Sequence, residues 1–315
     1  MLDWARTLRK NGVLGLNERN GNVIQALNPR QFYPLVDDKL RTKQLALKAG
    51  IAVPDLYGVM ASQHDVRRLS GIVAQRSDFV IKPAHGTGGD GILVVAGRNS
   101  RREGLYRLVD GNYISEVDIR HHVSNIIGGQ YSFVGGRDRA LIEYRVETDQ
   151  VFAAVTFQGV PDIRVLVFQG YPVMAMVRLP TRRSRGKANL HQGAVGAGVD
   201  LAQGRTTSGV LDDDIVHEHP DTEEPISGLS IPQWEHCLML AARSYELTGL
   251  GYLGVDIVLD QSLGPLILEL NARPGLNIQI ANKVGLNTRL KRIATLAGEH
   301  AVEEKVALAR DAFAA

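Results

Sequence analysis

Two short, largely apolar segments near the carboxyl end of the chain carry a few polar residues, Val255–Asp260 and Pro265–Asn271. This pattern, with Gln261–Gly264 between the segments, predicts two antiparallel strands joined by a tight turn. Three cross-strand pairs follow from that turn: Asp256 with Glu269, Val258 with Ile267, and Asp260 with Pro265. One face of the hairpin is apolar and carries Ile257, Leu259, Leu266, Leu268 and Leu270. A buried apolar face fixes the register, because a shift of one residue would expose these side chains.

The opposite face of the predicted hairpin carries Asp256, Glu269 and Asn271, because Asn271 lies two residues beyond Glu269. Two facing carboxylates repel each other by about 4 kcal/mol at ~4 Å and an effective dielectric constant of about 20. A Mg²⁺ ion would offset this repulsion, since it prefers oxygen ligands and takes one or two carboxylates together with substrate phosphates. The alternative is an exposed edge hairpin whose acids face water. Asn271 argues against it, because asparagine is depleted in strands.

The rest of the chain predicts a mixture of helices and antiparallel strands. Helices are predicted at 39–49, after an Asp37 or Asp38 cap, and at 62–75, 230–247 and 288–315. Strands are predicted at 79–82, 92–95 and 140–146, in a hairpin at 163–179 with its turn at Gln169–Gly170, and in a strand-like stretch at 151–160. Residues 97–136 have a weak pattern, which predicts an insertion or a loosely ordered segment. Strands joined by hairpins outnumber strand–helix–strand units, so we expect an α+β fold with antiparallel sheets.

Composition narrows the function classes. The chain has 315 residues, enough for one large or two medium domains, and its net charge of +2 gives no case for nucleic-acid or membrane binding. No apolar run of about 18 residues is present, and the amino-terminal residues lack the apolar core of a signal peptide. Cys237 is the only cysteine, so an intrachain disulfide is excluded and a cysteine-based zinc site is disfavoured. We therefore expect a cytoplasmic protein without nucleic-acid partners or membrane insertion.

A lysine followed by a glycine-rich loop marks a candidate phosphate site. Lys82 ends a predicted strand, and the loop that follows contains Gly86, Thr87, Gly88, Gly89 and Gly91. Glycine lets backbone N–H groups approach phosphate oxygens closely, and lysine adds a positive charge. The loop is neither a P-loop nor a dinucleotide fingerprint, because it returns into a strand and no Gly-Lys-Ser/Thr follows. A plain hairpin turn is an equally good interpretation of this segment alone.

Seven motifs follow one another in an order that resembles the ATP-grasp superfamily. They are DDK (37–39), FVIKPAHGTGGDGI (79–92), LIEYRV (141–146), PDIRVLVF (161–168), KANLHQGA (187–194), GVDIVLD (254–260) and LELNARPG (268–275). Within the superfamily the chain is most similar to the RimK-type α-L-glutamate ligases, over roughly Asp37 to Asn282. The resemblance implies an ATP-grasp fold, in which two α+β subdomains with antiparallel sheets clasp ATP.

The same resemblance implies a domain organisation and roles for individual residues. It divides the chain into a short segment 1–36, a first subdomain 37–142 with the glycine-rich loop, and a second subdomain 143–315 with the metal site and a carboxyl-terminal helix. ATP would be bound by Lys39, Lys82, Gly86, Thr87, Gly88, Gly89, Gly91, Glu143, Tyr144, Asp162, Lys187 and Asn189. Mg²⁺, or Mn²⁺ as an alternative, would be bound by Asp256, Glu269 and Asn271. Lys82, Arg164 and Arg273 form the candidate catalytic set, although a sheet-face ion pair is an equally good interpretation of Arg164.

The chain departs from the ligase pattern at several places. About 36 residues precede the DDK motif, where the ligases have a full α/β domain, so a homo-oligomer or a partner protein would take that domain's place. The segment 97–136 and the stretch from Glu143 to Asp162 are longer than in the ligases, and Arg273 replaces a small residue. These departures leave the expected ATP site intact and the acceptor site open.

The resulting hypothesis is an ATP-dependent ligase that joins a carboxylate to an amine through an acyl phosphate. Its substrates would be small molecules or peptides, and four cations in Thr181–Lys187 suit an acidic one such as glutamate or an acidic peptide. A solvated basic loop is an equally good interpretation of that segment. Two other functions stay open: a nucleotide-regulated binding protein without turnover, and an ATP-grasp enzyme with a thiol, hydroxyl or phosphate acceptor.

Overall fold

The structure, a computed structural model, describes residues 3–296 and 298–314, apart from the side chains of Asp3 and Ala5. Its internal contacts divide the chain into two compact units. The small unit comprises Asp38–Lys43 and Val53–Val146. The large unit comprises the described parts of Met1–Asp37, Gln44–Ala52 and Glu147–Ala315. The subdomain boundaries expected from the sequence, at 36/37 and 142/143, stay predictions.

The helices vary in length from single turns to four turns. The α-helices are α1 (Asp3–Lys10), α2 (Leu16–Glu18), α3 (Gln25–Leu27), α4 (Pro34–Asp37), α5 (Lys39–Lys48), α6 (Leu69–Ala74), α7 (Glu116–Ile127), α8 (Trp234–Thr248), α9 (Ile278–Asn282), α10 (Leu286–Ala294) and α11 (Val302–Ala312). A π-helical turn lies at Arg19–Ile24, and 3₁₀ turns lie at Arg30–Phe32, Asp65–Arg68, Gln150–Val155 and Leu190–Gln192. Among the residues that the structure describes, no helix combines the length and the apolar character needed to cross a membrane.

The small unit is built on a six-stranded sheet. Its strands are β1 (Leu56–Met60), β2 (Phe79–Pro83), β3 (Leu93–Arg98), β4 (Leu105–Leu108), β5 (Tyr113–Ser115) and β6 (Ala140–Glu143). They lie in the order β1-β6-β2-β3-β4-β5, and every neighbouring pair is antiparallel. Lys82 near the end of β2 faces Leu141 on β6, which places Glu143 on the same neighbouring strand two residues further along.

The interpretation of residues 97–136 as loosely ordered is wrong. The segment contains β4, β5 and the 12-residue helix α7, whose apolar side chains join the core of the small unit. A capping box starts this helix: the Ser115 hydroxyl oxygen accepts the Asp118 N–H, and the Asp118 carboxylate accepts the Ser115 N–H. Ile119, Val123 and Ile126 are fully buried at helical spacing. The segment is therefore an integral part of this unit.

The large unit is built on a seven-stranded sheet. Its strands are β7 (Asp162–Phe168), β8 (Tyr171–Leu179), β9 (Val195–Asp200), β10 (Arg205–Leu211), β11 (Asp214–Val216), β12 (Tyr252–Asp260) and β13 (Gly264–Asn271). They lie in the order β11-β10-β9-β8-β7-β12-β13, again with every neighbouring pair antiparallel. The expected turn at Gln169–Gly170 is confirmed, and both residues have positive φ angles, 51° and 87°. The predicted α+β class with antiparallel sheets is likewise confirmed.

The carboxyl-terminal hairpin has the predicted pairing at its polar end only. Asp256 faces Glu269 as expected, but Leu268 forms a β-bulge, so Val258 faces Leu266 and Asp260 faces Gly264. The predicted partners Ile267 and Pro265 are therefore wrong by one residue. Leu268 is only half-buried, whereas the other four residues of the predicted apolar face are buried. The bulge shifts the register of the turn-side half without moving the polar residues.

The predicted strand at 151–160 is also wrong, because Gln150–Val155 is a 3₁₀ turn. The Asp149 carboxylate accepts the Val151 N–H at 2.9 Å and so starts this turn. The predicted cap of α5 is confirmed for Asp38, whose Oδ1 accepts the N–H groups of Leu40 and Arg41 at 3.1 and 3.3 Å. Short polar side chains thus start local turns at both places.

Candidate functional site

Two arginines and two aspartates form a buried charge network on three adjacent strands of the large unit. Arg164 on β7 donates from Nε and Nη2 to Oδ1 and Oδ2 of Asp256 on β12, each at 2.6 Å. Arg178 on β8 donates from Nε and Nη2 to the two carboxylate oxygens of Asp162, each at 2.5 Å, and from Nη2 to Asp256 Oδ2 at 2.7 Å. The strand order β8-β7-β12 brings these four side chains together. Their formal charges cancel.

The network holds its two carboxylates in different electrostatic states. Burial by itself would raise the pKa of Asp256, but Arg164 and Arg178 outweigh burial and hold this pKa below its usual value. Burial, together with the negative charge of Asp256, raises the pKa of Asp162 to about 6 despite its pairing with Arg178. The network thus shifts the pKa of Asp256 downward and that of Asp162 upward, although both carboxylates are paired with arginine.

The expected metal ligands lie together at one end of the hairpin. Asn271 donates from Nδ2 to Asp256 Oδ2 at 3.3 Å, and Glu269 is the cross-strand neighbour of Asp256. Asp256 Oδ2 accepts three N–H groups, whereas Oδ1 accepts one and keeps a lone pair available. Glu269 and Asn271 are only half-buried. Their oxygens and Asp256 Oδ1 fit the all-oxygen coordination of Mg²⁺.

The donor set would not suit a softer metal. Within the described residues, no group of three or more histidine, cysteine, aspartate and glutamate side chains is placed to hold an ion. A metal at Asp256 would therefore depend on the Asn271 amide oxygen, water and substrate oxygens in addition to two carboxylates. That combination is typical of Mg²⁺ bound together with a phosphate-containing substrate.

A second buried charge cluster lies in the small unit. Lys82 Nζ lies 2.7 Å from Glu143 Oε2, and Lys43 Nζ lies 3.2 Å from Glu143 Oε1. All three side chains are at most 6% exposed, so the cluster has a buried excess of one positive charge. Burial and the neighbouring Lys82 lower the pKa of Lys43 to about 8 against the opposing effect of Glu143. A buried positive excess next to a glycine loop favours an anionic ligand.

Sequence reasoning missed Lys43 and Arg178. Lys43 follows Lys39 by four residues on α5, and that spacing places both lysines on one face of the helix. Helical spacing alone could therefore have identified Lys43 as a candidate. Its Nζ also donates to the Pro54 carbonyl oxygen. Arg178 has no local signal, because its role depends on strand β8 lying beside β7.

The glycine-rich loop follows β2 directly, as expected. Gly88, Gly89 and Gly91 have φ angles of 62°, 79° and 74°, a region that side chains other than glycine adopt at a cost. Lys39 donates from its backbone N–H to the Ala84 carbonyl oxygen at 3.0 Å and from Nζ to the Gly86 carbonyl oxygen at 2.7 Å. The helix start of α5 and the first arm of the loop are thus directly linked.

The remaining candidate residues have contacts of their own. Tyr144 donates its N–H to the Asp55 carbonyl oxygen at 2.9 Å, at the end of β6. The Asn189 side chain accepts the His191 N–H at 3.0 Å and so caps a 3₁₀ turn, while the Lys187 N–H bonds the Ser184 carbonyl oxygen at 3.1 Å.

Arg273 is part of a separate contact group of the large unit. It stacks over Tyr33, with its guanidinium carbon 4.9 Å from the ring centroid, and it pairs with Asp37 at 3.3 Å. Its side chain is 53% exposed, whereas those of Arg164 and Arg178 are 13% and 12% exposed. Arg273 is therefore held less rigidly than the two arginines of the network.

Each unit thus has an antiparallel sheet with a cluster of buried charges, and the sequence identifies the family. A profile of the sugar-transfer associated ATP-grasp family matches residues 18–295. The chain belongs to this family, which confirms the resemblance to the ATP-grasp superfamily and the ATP-grasp fold.

Individual relatives are more distant. A probable alpha-L-glutamate ligase of Thioalkalivibrio sulfidiphilus is 26% identical over 255 residues, which cover 80% of this chain and 61% of that protein. The corresponding protein of Maridesulfovibrio salexigens is 24% identical over 243 residues, 76% of this chain and 56% of that protein. A crystal structure of a RimK domain ATP-grasp protein from Sphaerobacter thermophilus aligns with a TM-score of 0.44 and 14% identity, over 84% of this chain and 69% of that one. The chain thus spans less than two thirds of the length of these two ligases.

Proposed function

We propose that the chain is an ATP-dependent ligase that joins a carboxylate to an amine through an acyl phosphate. The observation that carries this proposal is the buried Lys43–Glu143–Lys82 cluster, with its excess positive charge, at the base of a glycine-rich loop. Membership of an ATP-grasp family and the similarity to probable alpha-L-glutamate ligases support the same assignment. The chemistry needs charge neutralisation and positioning more than a nucleophilic side chain. Cys237 is buried, and burial raises its pKa to about 12, which fits that expectation.

The residues of the small unit would act on the phosphate chain of ATP. Lys39 and Lys82 would neutralise phosphate oxygens, and the N–H groups of Gly86, Thr87, Gly88, Gly89 and Gly91 would donate to them. Glu143 and Tyr144 would contact the adenine, partly through backbone groups. Lys43 would hold Glu143 in place, because it binds the second oxygen of the same carboxylate.

The residues of the large unit would act on the metal and on the reacting carboxylate. Asp256, Glu269 and Asn271 would hold Mg²⁺, which supplies charge neutralisation at the β- and γ-phosphates when bound. Arg164 would orient Asp256 and stabilise the acyl phosphate, and Arg273 would provide a second, more mobile cation. The nucleotide site would be completed by Asp162, Lys187 and Asn189.

The proposed reaction has two steps. A carboxylate oxygen of the first substrate attacks the γ-phosphorus, the bond from that phosphorus to the β–γ bridging oxygen breaks, and ADP leaves. The amine nitrogen of the second substrate then attacks the acyl carbon. The carbon–oxygen bond to phosphate breaks, the nitrogen loses a proton, and an amide and inorganic phosphate are formed.

An acidic substrate, such as glutamate or an acidic peptide, suits the basic segment Thr181–Lys187. Arg183 pairs with Asp212 at 2.5 Å and Arg182 lies 3.9 Å from Asp221, so part of its charge is balanced within the chain. The family is described as sugar-transfer associated, so sugar derivatives that carry a carboxylate or an amine are also worth testing. A second copy of the chain or a partner protein would contribute to the acceptor site. Light scattering of the purified chain would show whether it forms a homo-oligomer.

A binding protein without turnover is the second candidate. It is favoured by the four N–H groups that Asp256 accepts within the chain, three of them at Oδ2. A carboxylate engaged in this way coordinates a metal less readily. ATP would then bind and shift a conformational equilibrium without being consumed.

An isotope experiment separates these functions. The protein is incubated with Mg-ATP, or Mn-ATP in parallel, and a mixture of amines with ¹⁸O-labelled carboxylates, including glutamate. A ligase transfers one ¹⁸O atom from the carboxylate to the released phosphate, and mass spectrometry then identifies the amide. Lys82→Met should abolish release, whereas Lys48→Met, an exposed lysine of α5, should not. If the protein binds the nucleotide but releases no phosphate with any of the acceptors, the binding protein without turnover is supported. A thioester, an ester or a phosphorylated product would identify a different acceptor.

A further inference from the structure

The far end of the glycine-rich loop is held by a residue outside it. His122 on α7 makes a hydrogen bond of 2.9 Å from Nε2 to the Gly91 carbonyl oxygen. Because a carbonyl oxygen can only accept, this bond requires the hydrogen on Nε2 and fixes the tautomer of a neutral ring. Burial lowers the pKa of His122, so the neutral ring is favoured at neutral pH.

Packing reinforces that bond. The His122 and Tyr131 rings lie 5.5 Å apart between centroids, and the Tyr131 ring also lies against Gly91. A Cβ atom on Gly91 would lie 2.6 Å from Tyr131 Cγ, a distance that real Cβ atoms do not adopt. The backbone at Gly91 therefore passes directly against the Tyr131 ring.

The near end of the loop is held by a second histidine. His85 donates from its backbone N–H to Asp138 Oδ2 at 3.0 Å, and its Nδ1 lies 2.8 Å from Asp138 Oδ1. The Asp138 side chain is completely buried, so these bonds are sheltered from water. The Phe133 N–H in turn donates to the His85 carbonyl oxygen at 3.2 Å. Both loop ends are thus attached to residues 122–138.

This attachment has a consequence for ligand binding. A loop that is free before binding loses backbone conformational entropy when a ligand orders it, and this loss weakens binding. A loop fixed in advance at both ends avoids much of that cost and binds its ligand more tightly. The six residues from Gly86 to Gly91 have three glycines at positive φ, so without these attachments they would be especially free to move.

We propose that His85 and His122 are positioning residues that hold the two ends of the Gly86–Gly91 loop in the arrangement that receives the phosphate chain of a nucleotide. This inference rests on the proposed function only in taking a nucleoside triphosphate as the ligand. Neither histidine is required to touch the reacting atoms. Their effect should therefore grow with the number of phosphates in the ligand.

Matched substitutions at His122 test the proposal. His122→Phe keeps a ring against Tyr131 and removes the donor, whereas His122→Gln keeps an N–H donor at a similar reach. We expect His122→Phe to weaken ATP and ADP binding about five- to tenfold, the value of one hydrogen bond, and to leave AMP and adenosine within about twofold. His122→Gln should recover most of the loss. His121→Phe, at the exposed neighbouring position, serves as the control.

Calorimetric titration with ATP, ADP, AMP and adenosine tests the proposed function and the positioning role of His122 separately. If the unmodified protein binds neither ATP nor ADP, the proposed function fails. If it binds them and His122→Phe binds them equally well, only the positioning role fails. An equal loss for AMP and ATP would also overturn that role, because a general structural effect would not depend on phosphate number.

Hydrogen exchange tests the loop directly and does not depend on any ligand. In the ligand-free protein, the amides of residues 86–91 should exchange several-fold faster in His122→Phe and in His85→Phe than in the unmodified protein, because closing contacts are lost. Exchange in β7 and β12 of the large unit should not change. Unchanged exchange at residues 86–91 would overturn the proposal.

Discussion

Arg164 and Asp256 face each other across β7 and β12 and form two parallel hydrogen bonds of 2.6 Å. Asp256, one of the two facing acids of the hairpin, therefore receives a compensating charge from the neighbouring strand. Arg178 adds a third bond to the same carboxylate from one strand further away. A sheet-face ion pair and a role in catalysis are compatible for Arg164, because the pair fixes the guanidinium in one orientation.

Removal of Arg178 should strongly destabilise the large unit. The substitution Arg178→Met leaves Asp162 buried without its bidentate partner, which typically costs about 3–5 kcal/mol. Arg183→Met removes an arginine that makes a similarly short pair with Asp212, but both of those side chains are more than half exposed, 62% and 52%. We therefore expect Arg183→Met to lower the free energy of unfolding by only about 0–1 kcal/mol.

Urea unfolding followed by tryptophan fluorescence measures both effects. Trp4 and Trp234, the two tryptophans of the chain, belong to the large unit, so the signal reports on the unit that is changed. Equal free energies of unfolding for the two variants would show that the buried network does not stabilise the fold.

Replacement of Glu269 should weaken the metal dependence of nucleotide binding. Glu269→Gln removes one of two carboxylates from the proposed Mg²⁺ site, and we expect the Mg²⁺ concentration for half-maximal ATP binding to rise by at least about tenfold. ATP affinity without metal should change little. Glu246→Gln, on the exposed face of α8, is the matched control. The same Mg²⁺ dependence in both variants would remove Glu269 from the metal site.

Lys43 should make the stability of the protein rise with pH in an alkaline window. Its pKa is lowered to about 8 in the folded state, mainly by burial, whereas an unfolded lysine has a pKa of about 10.4. Between these values the unfolded state binds more protons, so the free energy of unfolding increases with pH, by up to about 1.4 kcal/mol per pH unit. Below about pH 8 the cost of burying the charged Lys43 is fully present.

The measurement is urea unfolding by far-ultraviolet circular dichroism between pH 7.5 and 10.5. The slope due to Lys43 should disappear in Lys43→Met and persist in Lys48→Met, which changes an exposed lysine on the same helix. Identical pH profiles for all three proteins would mean that Lys43 keeps its proton throughout the window.

The hairpin shows how far local pattern can predict a site. Counting from the Gln261–Gly264 turn predicts Asp256 opposite Glu269, and this pair is confirmed, although the pairs closer to the turn are wrong by one residue. The bulge at Leu268 was missed because residues 265–268 are all apolar, and a continuous apolar run contains no information on which face each residue occupies. The Arg178 contact required the strand order, which is a property of the whole sheet.

The prediction of a loosely ordered segment at 97–136 is wrong for a different reason. Its helix α7 has a complete signal in the sequence: Ser115 and Asp118 form a capping box, and Ile119, Val123 and Ile126 have helical spacing. Basic residues and glycines on either side of this helix weaken the apolar pattern of the whole segment. The contact from His122 to Gly91 could not be predicted from local sequence, because it joins residues 31 positions apart.

A methyl group at Gly91 should impair nucleotide binding far more than one at Gly135. Both glycines belong to the small unit and have nearly the same φ angle, 74° and 75°, so alanine has a similar backbone cost of about 1–2 kcal/mol at each. Gly135 has open space around its would-be Cβ atom, whereas at Gly91 that atom would lie 2.6 Å from Tyr131 Cγ. Gly91→Ala must therefore displace the loop end or the ring that packs on His122.

We expect Gly91→Ala to weaken ATP binding by about tenfold or more and Gly135→Ala to change it by less than about threefold. The double variant Gly91→Ala/Tyr131→Ala tests the cause, since removal of the ring relieves the overlap but leaves the backbone cost. Partial recovery of ATP affinity in the double variant, measured by calorimetric titration, would identify the Tyr131 contact as the reason for glycine at this position. An equal loss in Gly91→Ala and Gly135→Ala would instead show that backbone conformation alone sets the requirement, and that the position of the loop end has no effect on the phosphate site.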